Sequence, residues 1–284
     1  MRIQHYVRLL CITVILAVAP NLRANQTTLP FVLHRGYSIV VQGSIGGRKG
    51  LNFIIDTGAV PSVVDRRLSH RLGLGGQADQ VSVFARTVPA QRVVLPNVDM
   101  GPVQAVGVEA LVQDLSFIER ILGVRVDALI GLDVLGKTSF SIDFAAKCLR
   151  FDPLQGPSDV WADMTEDAYY AAVEIELNGV PVRVMVDTGV NHLILFESRT
   201  ERIFAKDRML TEKVSSTIGG TVRLKQVETP TVTLGKTPLT VASVLVLETP
   251  ANLSLSIDGL LGVAALKPVR VDFNFERRAI GWKW

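Results

Sequence analysis

Two Asp-Thr-Gly tripeptides are the residues of this sequence best suited to carry out chemistry. They lie at 56–58 and 187–189, and each ends an apolar stretch. A single aspartate at the end of a strand is usually structural, because it caps a turn or a helix. Two equivalent aspartates in a duplicated chain favour a different interpretation, since a two-fold relation between the copies would bring them face to face.

Two carboxyl groups in contact favour acid–base chemistry. They cannot both ionise, so they share one proton, and one acts as a base while the other remains an acid. We therefore predict Asp56 and Asp187 as the catalytic residues. Such a pair would activate a water molecule and protonate a carbonyl oxygen without a covalent intermediate.

The neighbours of the two aspartates are suited to supporting such a pair. The hydroxyl groups of Thr57 and Thr188 would brace the two loops across the axis. Gly58 and Gly189 would allow the two backbones to approach closely, because glycine has no Cβ. We predict these four as site-supporting residues.

The elements that position the tripeptides also occur twice. Each tripeptide ends a predicted hairpin, which turns at Gly46-Gly47 in the first copy and at Asn178-Gly179 in the second. Asp127-Ala-Leu-Ile-Gly131 and Asp258-Gly-Leu-Leu-Gly262 repeat with the same spacing as the tripeptides and would pack beneath the tripeptide loops. The aspartates that open these two segments are interpreted as turn caps and not as catalytic groups.

This duplicated order predicts an all-β protein with two barrel-like lobes, a pseudo-two-fold axis and a cleft between the lobes. We predict lobes at 25–155 and 169–284, joined by a linker at 156–168 that lies in a stretch rich in Pro, Gly and Ser. Helical spacing further predicts a helix over 62–72 in the N-terminal lobe.

Residues 1–24 are predicted to be a signal peptide. Arg2, His5 and Arg8 form a basic start, the run 9–19 is apolar or small, and Ala24 is a suitable cleavage position. This favours a secreted or periplasmic protein without membrane contact after the signal is removed. An uncleaved membrane anchor is the alternative.

The charge balance argues against a nucleic-acid partner. The chain has 30 basic and 27 acidic residues, and three of the basic ones are arginines within residues 1–24. Removal of that segment leaves 27 of each, so the mature chain has no excess of positive charge to hold phosphates.

The sequence resembles the aspartic proteases of the pepsin and retropepsin clan, and bacterial retropepsin-like proteins look closest. The resemblance spans about residues 31–284 and rests on the two tripeptides together with Leu129-Ile130-Gly131 and Leu260-Leu261-Gly262. It implies an acid-protease fold with both halves in one chain, acting as a monomer. It also implies an aspartic endopeptidase that hydrolyses a peptide or protein substrate without a metal or another cofactor.

The sequence departs from the better-known members of that clan in two places. No tyrosine occurs in the predicted flap at 81–94, so we predict Phe84 as the flap residue instead. After the second tripeptide, Asn191 and His192 replace the usual small or hydroxyl residues. They are either polar neighbours of the aspartates or a turn, and we favour the turn.

Two other functions remain open at this point. A secreted bilobal protein could bind a peptide or a partner in the same cleft without turnover, because a fold does not by itself determine a function. A processing enzyme for one specific partner would show little activity on general substrates. The intact pair of tripeptides favours an active endopeptidase.

Overall fold

The structure is a computed structural model that describes residues 27–83, 86–151, 156–166, 170–200, 203–204, 209–217, 220–249 and 256–284. The predicted signal peptide at 1–24 and the predicted flap residue Phe84 lie outside the described residues. Within the described ranges, no helix is long and apolar enough to span a lipid bilayer.

The N-terminal half is built mainly from strands. Its strands are β1 (Thr28–Pro30), β2 (Val32–His34), β3 (Ser38–Ile45), β4 (Arg48–Ile55), β5 (Ser62–Asp65), β6 (Gly76–Val83), β7 (Arg86–Asp99), β8 (Gln104–Gln113), β9 (Ala128–Ile130), β10 (Phe140–Asp143) and β11 (Cys148–Arg150). Its helices are short: α1 (Arg66–Arg71), α2 (Ser116–Leu122) and α3 (Leu132–Leu135).

The C-terminal half repeats much of this order. Its strands are β12 (Val160–Asp163), β13 (Ala172–Leu177), β14 (Val180–Asp187), β15 (Leu193–Phe196), β16 (Met209–Thr217), β17 (Gly220–Val227), β18 (Val232–Leu234), β19 (Thr237–Leu239), β20 (Val244–Leu247), β21 (Gly259–Gly262), β22 (Arg270–Asn274) and β23 (Ala279–Lys283). Helix α4 covers Glu197–Thr200, and a 3₁₀ turn covers Val263–Leu266.

Each lobe has one large sheet. The N-terminal sheet has the order β2-β3-β4-β9-β5-β8-β7-β6, and an additional β3–β7 pairing curls it towards a barrel. The C-terminal sheet has the order β16-β17-β20-β15-β21-β14-β13-β18-β19. The prediction of an all-β protein with two lobes is confirmed.

The same local arrangement positions both tripeptides. In the N-terminal lobe, β9 lies between β4, to which it is parallel, and β5, to which it is antiparallel. In the C-terminal lobe, β21 lies in the same way between β14 and β15. The loop that follows β4 or β14 must therefore pass over the end of a buried apolar strand, which fixes its position.

Both predicted hairpins that lead into the tripeptides are present. Strands β3 and β4 pair around Gly46-Gly47, and β13 and β14 pair around Asn178-Gly179. The helix predicted over 62–72 is shorter than expected, because residues 62–65 form β5 and the helix begins at Arg66. Asp65 caps this helix, since its side chain accepts a hydrogen bond from the Arg67 N–H.

A third sheet joins the two halves. Its order is β1-β11-β10-β22-β23-β12, so β10 of the first half pairs antiparallel with β22 of the second. Phe140 and Phe273 are opposite each other in this register, both are fully buried, and their rings stack with centroids 4.9 Å apart. Burial of these large aromatic rings against each other holds the lobes in one relative position.

Strand β12 belongs to this joining sheet although it lies within the segment predicted as a linker, 156–168. It pairs with β23, with Trp161 opposite Gly281. The segment that was predicted to link the lobes thus contains a strand at Val160–Asp163. The pairing partner is distant in the chain, so local composition carried no signal of it.

Candidate active site

The structure brings Asp56 and Asp187 together. Asp56 directly follows β4, and its backbone N–H donates to the Ile130 carbonyl at 3.0 Å. Asp187 is the last residue of β14 and lies opposite Gly262 in the parallel pairing with β21. The two carboxyl groups adjoin each other, since a single point beside Gly189, where a Cβ would lie, is 2.9 Å from Oδ1 of Asp56 and 3.0 Å from Oδ1 of Asp187. The contact predicted from the duplicated tripeptides is thus present, while the catalytic role of the pair stays a prediction.

The threonines of the two tripeptides interlock across the lobe boundary. Each backbone N–H donates to the other threonine's Oγ1, at 3.0 Å from Thr57 and 3.1 Å from Thr188. Each hydroxyl in turn donates to a carbonyl of the opposite lobe, Thr57 to Val186 at 2.8 Å and Thr188 to Ile55 at 2.7 Å. Both threonines are buried, so water cannot replace these four bonds and the two loops are held in register.

The glycines of the tripeptides touch the carboxyl groups. A Cβ added to Gly58 would lie 2.5 Å from the Cγ of Asp187, and one added to Gly189 would lie 2.9 Å from Oδ1 of Asp56. No real Cβ tolerates such contacts, so only glycine permits this approach. Their backbone N–H groups also bind the carboxyl groups within each loop, from Gly58 to Asp56 at 3.0 Å and from Gly189 to Asp187 at 2.6 Å.

The N-terminal loop has an additional polar support. The Ser62 hydroxyl accepts from the Gly131 N–H at 2.9 Å and donates to Oδ1 of Asp133 at 2.7 Å. The Leu132 N–H donates to the carbonyl of Ala59, directly after the tripeptide. These bonds tie the loop to the start of α3 and restrict its movement.

The two carboxyl groups have unequal electrostatic environments. Burial raises the pKa of both, and the charge of Asp56 raises the pKa of Asp187 further, well above its usual range. The Gly58 N–H donates to the Asp56 carboxyl group and the Gly189 N–H to the Asp187 carboxyl group, and each bond lowers the pKa of its acceptor in part. The pair therefore retains one proton above the pH at which an ordinary aspartate loses it.

The aspartates that open the two repeated apolar segments do not join the pair. Asp127 accepts from the Asn52 N–H at 3.1 Å, and Asp258 accepts from the Arg183 N–H at 2.9 Å. Asn52 and Arg183 are equivalent positions, separated by the same spacing as the tripeptides. Each aspartate ties a hairpin strand to the strand that packs beside it, which is a structural role like the one predicted.

A cavity of about 380 Å³ opens directly at the two carboxyl groups. The N-terminal lobe lines it with apolar side chains of α2, among them Phe117, Ile118 and Ile121. The C-terminal lobe lines it with the hairpin of β16 and β17, including Val222 and Leu224. The cavity therefore combines a polar pair of carboxyl groups with largely apolar walls, as binding clefts commonly do.

Asn191 and His192 lie at the wall of this cavity. The His192 ring is half-buried, and its Nδ1 lies 3.2 Å from the Ser243 hydroxyl. Its carbonyl accepts from the Gly262 N–H at 3.0 Å. The two residues form the bend between β14 and β15, as the favoured turn interpretation predicted, and they also face the cleft.

Sequence reasoning missed the walls of the cavity. Helix α2 gave no signal that it would face the cleft. The β16–β17 hairpin is the C-terminal counterpart of the hairpin predicted at 81–94, and the sequence predicts it at 214–227 but does not predict that it lines the cavity. Within the described part of the chain, no group of three or more His, Cys, Asp or Glu residues could hold a metal ion.

A family model described as "Aspartyl protease" matches the chain twice, over residues 41–134 and 173–265. The chain belongs to the aspartyl protease family. Each match contains one tripeptide and the apolar segment that packs beneath it, so the family repeat coincides with the two lobes. The resemblance stated from the sequence and the bilobal acid-protease fold are confirmed. A comparison with curated proteins found no match.

Proposed function

We propose that this member of the aspartyl protease family is an active endopeptidase, with Asp56 and Asp187 as its catalytic residues. The observation that carries the proposal is the close approach of the two carboxyl groups at the point where a cavity opens between the lobes. A merely structural pair of buried carboxyl groups would not need to face a cavity, and the interlocked threonines alone would join the lobes.

In the proposed mechanism, a water molecule is bound between the two carboxyl groups. Ionised Asp56 takes a proton from this water, and the water oxygen attacks the peptide carbonyl carbon. At the same time, Asp187 donates its proton to the carbonyl oxygen. The resulting tetrahedral diol carries no net charge. Asp187 then takes a proton back from the diol, and Asp56 donates its proton to the amide nitrogen. The C–N bond breaks, and a carboxylic acid and an amine are released.

The assignment of acid and base follows from the pKa values of the two carboxyl groups. The N–H donors are equivalent in the two loops, because Gly58 donates to the Asp56 carboxyl group and Gly189 to that of Asp187, whereas the Ala59 N–H bonds the Asp56 main-chain carbonyl. Burial raises both pKa values, and the pKa of Asp187 rises further beside the charge of Asp56. We therefore assign the retained proton to Asp187.

The proposal includes the site of action. We propose that residues 1–24 direct the chain to a secretory route, that cleavage follows Ala24, and that the enzyme acts as a secreted or periplasmic monomer on peptide or protein substrates. N-terminal sequencing of the exported protein tests the cleavage position. An intact N-terminus in a membrane fraction would contradict it and would indicate an anchor.

The experiment that tests the proposal is digestion of a diverse peptide mixture by residues 25–284 between pH 3 and 8, analysed by mass spectrometry. The matched control is Asp187→Asn, which keeps the size of the side chain and its ability to donate a hydrogen bond to Asp56. Cleavage by the unchanged protein and none by the variant would support the proposal. A folded unchanged protein that cleaves nothing would favour the binding protein or the single-partner processing enzyme.

A further inference from the structure

The β16–β17 hairpin presents one face to the cleft. Cross-strand partners in an antiparallel pair share a face, and the register pairs Lys213 with Leu224 and Ser215 with Val222. All four of these residues line the cavity that contains Asp56 and Asp187. Lys213 therefore brings a charge to a face that Val222 and Leu224 make apolar.

The other cations of this hairpin lie on its outer face and have acidic partners. Side chains alternate along a strand, so Arg223 and Lys225 point away from Leu224. Arg223 lies 3.9 Å from Glu212, and Lys225 lies 2.6 Å from Glu197. Lys213 makes no ion pair with any residue that the structure describes, although its charge faces a cleft with apolar walls.

The carboxyl pair does not neutralise Lys213 either. The pKa shifts of Asp56 and Asp187 arise from burial, from each other and from backbone donors, with no contribution from Lys213. The charge of Lys213 instead lowers the pKa of His192, after the effect of burial. Lys213 and His192 thus line the cavity together, both from the C-terminal lobe.

An unpaired ammonium group at such a position favours an anionic ligand. Its stem can lie along apolar surface while the charge stays accessible, and a partner that excludes water strengthens the attraction. Among the described residues that line the cavity, the acidic ones are Asp56 and Asp187, so no other wall residue competes for this charge. Lys213 is exposed, so its ammonium group is free to pair with an acidic group of a molecule bound in the cavity.

We propose that Lys213 is a specificity-determining residue that binds a carboxylate of the peptide substrate, from an Asp or Glu side chain or from the C-terminus. This rests on the proposed function, because it takes the cavity as the peptide-binding cleft. The enzyme then prefers peptides with an acidic group on the side of the cut that the C-terminal lobe binds. Pseudo-symmetry does not create a second such subsite, since the registers of the two hairpins place Asp79, which pairs with Arg92, where Lys213 lies.

The experiment compares peptide pairs built on one mapped cleavage sequence. The members of a pair differ by Glu or Gln at one position near the cut, and each is made with a free and with an amidated C-terminus. We expect Glu to raise kcat/KM about fivefold over Gln at one position, the size of an exposed charge pair. A preference for the free over the amidated C-terminus would also support the proposal, because the C-terminal carboxylate would then be the group that Lys213 binds.

Four variants assign the preference to Lys213. Lys213→Met, which retains a similar apolar stem, reduces the Glu/Gln ratio to about one, Lys213→Glu inverts it, and Lys213→Arg preserves it. Arg223→Met removes a cation from the outer face of the same hairpin and leaves the ratio unchanged. Added salt weakens the preference of the unchanged enzyme, because the pair is partly exposed.

A binding measurement separates this inference from the proposed function. Fluorescence anisotropy with Asp187→Asn as the background measures the affinity of the same peptide pairs without turnover. If Glu and Gln peptides bind and react equally, or if Lys213→Met retains the preference, the inference is overturned while the endopeptidase stands. If the affinities differ through Lys213 but nothing is cleaved, the carboxylate subsite stands and the proposed activity fails.

Discussion

Thr57 and Thr188 donate their backbone N–H groups to each other's hydroxyl oxygens, at 3.0 and 3.1 Å, across the boundary between the lobes. The reciprocity is the direct structural expression of the duplicated sequence, since the two residues hold the same place in their tripeptides. It also explains why the carboxyl groups on either side meet in one geometry. Because each tripeptide loop is bonded to the equivalent loop of the other lobe, the two loops cannot shift relative to each other.

The first prediction concerns this interlock. Thr57→Val keeps the shape of the side chain but removes the acceptor of the Thr188 N–H and the donor to Val186, so we expect a loss of about 2 kcal/mol in the free energy of unfolding. Thr57→Ser retains the hydroxyl and should lose only about 1 kcal/mol, for the missing methyl group. Urea unfolding measures both, and a Thr57→Val variant as stable as the unchanged protein would show that the hydrogen bonds contribute nothing.

The second prediction concerns the carboxyl pair. Asp56→Asn removes the base, and Asp187→Asn removes the proton donor, so each should lower kcat on the order of 1,000-fold or more. Circular dichroism should show both variants folded, because an amide fits the space of a carboxyl group. Turnover within a factor of about ten of the unchanged enzyme in either variant would exclude the proposed mechanism.

The third prediction is the pH profile of kcat/KM, measured from pH 3 to 9 on a peptide without ionisable side chains. Activity requires Asp56 ionised and Asp187 protonated, so the rate rises as pH passes the pKa of Asp56 and falls as it passes the higher pKa of Asp187. Burial raises both pKa values above that of an ordinary aspartate. We expect a bell-shaped profile, and a rate that still increases above pH 8 would contradict the assignment.

The fourth prediction is that the pair costs stability as the pH rises. A carboxyl group whose pKa is higher in the folded than in the unfolded state binds more protons when folded, so stability falls as pH increases from about 4 through the folded pKa. Asp187→Asn cannot ionise and should avoid this loss. Thermal unfolding should show a higher Tm than that of the unchanged protein at pH 8 and little difference at pH 4. An equal Tm difference at both pH values would contradict the raised pKa of Asp187.

The fifth prediction tests the close approach of the loops. Gly58→Ala places a Cβ at 2.5 Å from the Cγ of Asp187, so the carboxyl group must move. A displacement of this size should lower kcat roughly 100-fold. Gly75→Ala is the matched control, because nothing lies within 4 Å of its added Cβ, and it should leave kcat unchanged. A fully active Gly58→Ala variant would show that the geometry of the pair is not critical.

Much of the fold was predictable because the sequence contains the same order of elements twice. The hairpins around Gly46-Gly47 and Asn178-Gly179 carry local turn signals, and strands beside them alternate in polarity. The equal spacing between the tripeptides and between the apolar segments then indicated a two-fold arrangement. That symmetry was sufficient to predict that Asp56 and Asp187 face each other.

Features that depend on distant partners were not predictable. Strand β12 has the composition of a linker and becomes a strand only because β23 offers it hydrogen-bonding partners. Residues 62–65 fit a helical period yet form β5, because β8 and β9 flank them in the sheet. In both cases tertiary pairing overrides local propensity.

The sequence by itself therefore determined the duplicated lobes, the membership of the carboxyl pair and the residues that support it, because these follow from residue types and a spacing that both copies share. Only the tertiary structure decided that the two carboxyl groups are buried, with raised pKa values, and which walls surround them. Burial and walls depend on elements that are distant in the chain, so residue types and spacing carry no signal of them. The cation on the inner hairpin face likewise became visible only once the register of β16 and β17 directed Lys213 into the cleft.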